Sequence, residues 1–111
     1  MTRDDQVYLA HIRDALQQIS LYTKGMDEEA FRANRMAQDA VIRQFEIVGE
    51  ATKNLSDSFR GNHPNVPWKD LAGFRDKLIH QYFGVDLSTV WRSVVDDVPV
   101  LLQEVLKIHT G

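Results

Sequence analysis

The sequence predicts an all-α fold, an antiparallel bundle of four main helices whose last helix is kinked at Pro99, and three features of the chain point there. Apolar residues recur at spacings of three and four nearly everywhere. No run of alternating β-branched residues marks a strand. Turn formers gather at one main place, SFRGNHPNVP (58–67), which leaves long periodic stretches on either side. With 43% apolar and 26% charged residues in 111 positions, there is material for one core, and a single domain over residues 1–111 is expected.

The first helix is expected from about Asp4 to Thr23, with Tyr8, Ile12, Ala15, Ile19 and Tyr22 on one face and Gly25 as its C-terminal stop. Asp27, Glu28 and Glu29 open a second element, because acidic side chains suit the positive end of a helix dipole. A bend near Asn34 then leads into a long helix reaching about Ser58. Pro67 suits the start of a third helix, which should end by Gly84. Asp86 can cap the last helix, with Val85 and Val90 spaced as a hydrophobic staple. Pro99 falls inside that helix, where it removes one hydrogen bond and crowds the carbonyl four residues earlier.

The long helix has an unusual wheel. Arg35, Asp39, Arg43, Glu46, Glu50 and Lys53 fall within an arc of about 80°, and nearly all the remaining circumference is apolar or small. Two readings follow. The stripe is a ladder of intrahelical ion pairs such as Arg35–Asp39 and Asp39–Arg43, each worth about 0.3 kcal/mol, or it lines a cleft with burial on both flanks, inside the bundle or against a second chain.

Composition excludes several classes. There is no cysteine, so disulfides and thiolate metal sites are unavailable, in keeping with a reducing compartment. The N-terminus MTRDDQ opens with charge, and the longest apolar run is only Val98 to Leu102, so a cytoplasmic protein with no membrane span is expected. A net charge of −3 argues against bulk electrostatic binding of long nucleic acid. Positive charge nevertheless gathers between Arg60 and His80, a stretch whose balance is +2. His11, His63, His80 and His109 are scattered without metal-binding spacing, and no phosphate loop or nucleophile elbow occurs.

The chemistry-bearing stretch is FRDKLIHQYFGVD (74–86). Arg75 lies on the wheel among the apolar positions Leu71, Leu78 and Tyr82, which is costly for arginine unless its head finds a partner, water or a ligand. Asp76 and His80 are four apart, so the carboxylate can hold the imidazole and favour its protonated form. A histidine in the last turn of a helix is also stabilised by the helix dipole and needs no further purpose. Five residues of ideal helix leave Arg75 and His80 about 140° apart around the axis and about 7.5 Å along it. They can act together only if the arginine wraps round, the helix distorts, or a two-fold partner supplies its own pair.

RDKLIHQY has the form R-x4-H-x-Y and resembles the signature of the HEPN superfamily, specifically HepT-like ribonuclease toxins paired with a minimal nucleotidyltransferase antitoxin. QDAVIRQFEIVGEATKNLS and VPWKDLAGFRDKLIHQYFGVDLSTVW are similar to the family's long helix and motif-bearing segment, and the resemblance runs from about Tyr8 to Leu106. It implies a metal-independent endoribonuclease of a type VII-like toxin–antitoxin system, working as a homodimer on tRNA or mRNA with no cofactor. Arg75 and His80 would be catalytic, and Asp39 and Asp76 would support them. Lys77 and Arg43 would contact phosphates, and Tyr82 would accept AMP from the antitoxin. The alternative is a non-catalytic HEPN module that binds a nucleotidyltransferase or a nucleotide.

Overall fold

The computed structural model describes residues 2–74 and 86–108, and every structural statement concerns those residues. All of the regular elements among them are helical. Helix α1 spans Arg3–Tyr22. It starts where the Thr2 hydroxyl accepts a hydrogen bond from the Asp5 N–H at 3.1 Å, with Asp4 and Asp5 in the first turn. It stops before Gly25, whose φ of +77° is the left-handed conformation that glycine adopts without strain. The buried face is Leu9, Ile12, Ala15, Leu16 and Ile19. That face is turned from the expected one. Tyr22 is exposed and Tyr8 half-buried, because their hydroxyls keep the tyrosines at the rim while the leucines take the centre.

Asp27 caps α2 (Glu28–Arg32), accepting from the Ala30 N–H at 2.8 Å, and α2 serves to bury Phe31 against Trp91 at a ring separation of 5.3 Å. At Asn34 the chain breaks. Its side chain accepts from the Ala37 N–H at 3.0 Å and so starts a new helix, α3 (Arg35–Asn54). The expected run of α3 to Ser58 is corrected here. Leu55 is extended and buried, and Ser56 caps a separate helix α4 (Asp57–Asn62) by accepting from the Phe59 N–H at 3.1 Å. The turn-rich stretch expected from Ser58 is thus helical as far as Asn62, and only residues 63–67 are irregular.

Helix α5 is described over residues 68–74. The Pro67 carbonyl accepts from the N–H groups of Asp70 and Leu71, so this proline stands one position before the first helical residue. Asp86 caps α6 (Leu87–Arg92) as expected, accepting from the Thr89 hydroxyl at 2.7 Å and its N–H at 3.3 Å. Those bonds hold the Asp86 carboxyl below the usual carboxylate range. A π turn (Ser93–Asp97) joins α6 to α7 (Val98–Leu106), in which Pro99 is the second residue. Proline has no N–H for the Val95 carbonyl, and the widened turn accommodates that gap as the Val98 N–H reaches back five residues to the Ser93 carbonyl. The expected kink at Pro99 is therefore a joined, kinked helix with its irregularity on the N-terminal side of the proline.

These elements assemble into a helical bundle. Helix α1 packs along α3 and against α7, while α2 bridges α3 and α6. One apolar cluster runs through all of them, from Leu9 and Ile12 through Val41, Phe45 and Val48 to Leu71, Val98 and Val105. Where α1 begins, Asp5 is 3% exposed, and its two oxygens accept from the Ser56 N–H at 2.8 Å and the Ser56 hydroxyl at 2.7 Å. Burial pushes the Asp5 carboxyl up, but the lowering influences, with the two Ser56 hydrogen bonds foremost and Thr2 adding to them, together prevail, so it titrates below the ordinary aspartate value. Asp5 fastens the start of α1 to the junction of α3 and α4. No helix among the described residues is long and apolar enough to cross a membrane.

Candidate functional site

The approach to the chemistry-bearing stretch is fixed by aromatic packing. Trp68, at the start of α5, donates from its indole N–H to the His63 carbonyl at 2.9 Å and lies 5.8 Å from the Phe59 ring. One turn on, Leu71 is fully buried. Phe74, the residue immediately before Arg75, packs on Phe45 of α3 with ring centroids 5.0 Å apart. The chain therefore enters the motif from a point held against the middle of α3. Arg75, Asp76, Lys77, His80 and Tyr82 themselves lie outside the described residues, as do Val85 and the expected end of this helix by Gly84.

Asp39 and Arg43 are described, and both are exposed on α3. They occupy successive turns on the side away from the buried arc of Val41, Phe45, Val48 and Thr52. Among the described residues, neither Arg35–Asp39 nor Asp39–Arg43 closes into an ion pair, so the ladder does not form over this part of the stripe. The two flanks also differ. Ile42 is buried on one side, whereas on the other Met36 is 79% exposed and Ala40 and Ile47 are half-buried. Arg43, Glu46, Ile47 and Glu50 line a shallow concavity of about 250 Å³. Along this stripe, an unpaired carboxylate can accept a hydrogen bond and an unpaired guanidinium can take a phosphate oxygen.

A second concavity, of about 580 Å³, lies on the other side of Phe74, between α5 and the π turn, and contains neither Asp39 nor Arg43. The sequence reading missed it. Its signal was present in DDVP (96–99), two carboxylates just ahead of a helix-distorting proline, but the partner wall of α5 lies more than twenty residues away in the chain. Asp5 was missed for the same reason, since only the fold brings it to Ser56. Among the described residues, no three histidine or acidic side chains are grouped to hold a metal ion.

Comparison with known proteins adds to this geometry. The sequence profile described as ribonuclease HepT-like matches residues 12–108. A gamma-glutamylcyclotransferase and putative RNase of Methanocaldococcus jannaschii is 47% identical over 97% of this chain, and the chain spans about half (49%) of that longer relative. A probable ribonuclease HepT of Thermococcus cleftensis is 44% identical, with 91% of this chain matching 92% of the relative. A putative RNase of Caldanaerobacter subterraneus is 42% identical, over 91% of this chain and 90% of its own. No solved structure gives a significant match.

Proposed function

We propose that this chain is the ribonuclease toxin of a toxin–antitoxin pair, on the premise that it belongs to the ribonuclease HepT-like family. One observation carries the reading: the family profile runs through the whole of R-x4-H-x-Y at 75–82, with Arg75, His80 and Tyr82 all present. Relatives matched over nearly their full length are named as ribonucleases. The protein would act in the cytoplasm as one helical domain.

The chemistry needs no metal. The ribose 2′-oxygen attacks the adjacent phosphorus and gives up its proton, and the bond to the departing 5′-oxygen breaks as that oxygen takes a proton. The products are a 2′,3′-cyclic phosphate and a 5′-hydroxyl. His80 moves the protons, held by Asp39 or Asp76, and Arg75 stabilises charge on the phosphorane. Arg43 and Lys77 hold flanking phosphates. The exposure of Asp39 and Arg43, unpaired among the described residues, supports these roles. Because ideal helix geometry sets Arg75 and His80 about 140° apart, two copies would share one cleft. The exposed Met36 and half-buried Ile47 beside the charged stripe suit contact with the second copy. A nucleotidyltransferase antitoxin would then transfer AMP to Tyr82, placing a phosphate where RNA must lie.

The deciding experiment is cleavage of tRNA and mRNA by purified, unmodified protein in EDTA. Arg75→Ala and His80→Ala should each lower the rate at least about 100-fold, and Asp39→Asn should lower it less, all without a change in melting temperature. Binding of the nucleotidyltransferase with no RNA turnover would instead identify a non-catalytic module. Unchanged cleavage by either alanine variant would remove that residue from the mechanism.

A further inference from the structure

The concavity between α5 and the π turn has a chemistry of its own. Its floor is apolar, built from Phe74 and Leu101 with Val100, which is 59% exposed. Its rim carries Asp70 from α5 and Asp96 and Asp97 from the π turn, against a single cation among the described residues, Lys69. None of these four charged side chains has an ion-pair or hydrogen-bond partner among the described residues, so the carboxylates are left to solvent.

A second, separate observation concerns Gly73, in the α5 wall of the same groove. A Cβ added there would meet no described atom within 4 Å. Glycine weakens a helix relative to alanine, and among the described residues neither a close neighbour nor a positive φ calls for it here. A side chain at this position would project into open space on the α5 side of the groove.

We propose that this groove docks a segment of a protein partner that carries arginine or lysine among apolar side chains. The cations would meet Asp70, Asp96 and Asp97, and the apolar side chains would cover Val100, Leu101 and Phe74. RNA is the disfavoured occupant, since three unneutralised carboxylates repel its phosphates. The inference stands apart from the ribonuclease reading, and either can fail alone.

The test uses a fluorescein-labelled basic amphipathic peptide, LRKLLRKLLR, with its glutamate-substituted counterpart and decauridylate as comparisons. Affinity is read by anisotropy, and location by the methyl resonances of Val100 and Leu101. The basic peptide should shift those methyls, the acidic peptide should not, and the Asp96→Asn/Asp97→Asn double variant should bind at least about tenfold more weakly. Gly73→Leu should abolish the methyl shifts without lowering the melting temperature. Unaltered affinity in the double variant, methyls that stay still with the basic peptide, or methyls that move with decauridylate would each overturn the proposal.

Discussion

The two sides of this bundle use their polar groups differently. Where α1 meets the α3–α4 junction, the buried carboxylate of Asp5 has both oxygens occupied by Ser56, and near it the buried Thr52 hydroxyl donates to the Val48 carbonyl, as the buried Thr23 hydroxyl does to the Ile19 carbonyl at the far end of α1. Between α5 and the π turn, three carboxylates have no partner among the described residues, a valine stands out into solvent, and a glycine occupies a helix with open space beside it. Asp39 and Arg43 on the outer side of α3 resemble this second side, both unpaired among the described residues. Buried polar groups whose bonding capacity is used within the chain are structural, because losing a partner costs their desolvation. Groups left unpaired at a concave surface are available to something else.

The comparison can be broken most directly at Phe45. It is fully buried and holds Phe74 at the entrance to the motif. Phe45→Ala should lower stability by about 3–5 kcal/mol, seen as a fall in the denaturant midpoint. Val100→Ala, on the open side, should change it by no more than about 0.5 kcal/mol. Equal losses from the two variants would mean that the exposed edge of the groove is as much a part of the core as the Phe45–Phe74 contact.

Local signals were the legible part of the fold. Asp27, Asn34 and Asp86 each start a helix with a side chain bonded to an N–H three residues later, and Gly25 ends one at positive φ, so each could be read from a few neighbouring letters. Pro99 likewise announced a distortion, although not that it would take the form of a π turn. The α3–α4 boundary was illegible for a competing reason. Gly61, Pro64 and Pro67 outweighed the capping signal of Ser56, whose position is reinforced by Asp5, 51 residues away. In the candidate site, the motif and the α3 stripe were visible as patterns, but whether Asp39 paired with its neighbours depended on side-chain rotamers that spacing does not determine. The acidic groove could not be seen at all, because its two walls meet only in the folded chain.

Asp5 sharpens the same contrast at lower cost. Asp5→Ala leaves the Ser56 N–H and hydroxyl without their acceptor and should destabilise the protein by about 1.5–3 kcal/mol. Because folding lowers the Asp5 pKa, its contribution is full above the unfolded value of about 4 and is lost as pH falls through the lower folded value. The stability difference between wild type and variant, measured by urea unfolding, should therefore shrink as pH drops below about 4. A constant difference across that range would show that the hydrogen bonds do not depend on the ionised carboxyl.

The smallest effects separate the two sides by sign. A Cβ added at Gly25 or at Gly73 meets no described neighbour within 4 Å, so steric crowding does not distinguish them. Backbone conformation does. Gly25 sits at φ +77°, where an L side chain is strained, and Gly25→Ala should cost about 1 kcal/mol. Gly73 lies in helical backbone, where alanine is favoured, and Gly73→Ala should stabilise by up to about 1 kcal/mol. Thermal melts of the two variants should move in opposite directions. Such a gain at Gly73 would mean that the wild-type chain gives up helix stability at the groove with no return from its own packing, as expected where the space is kept open for a ligand.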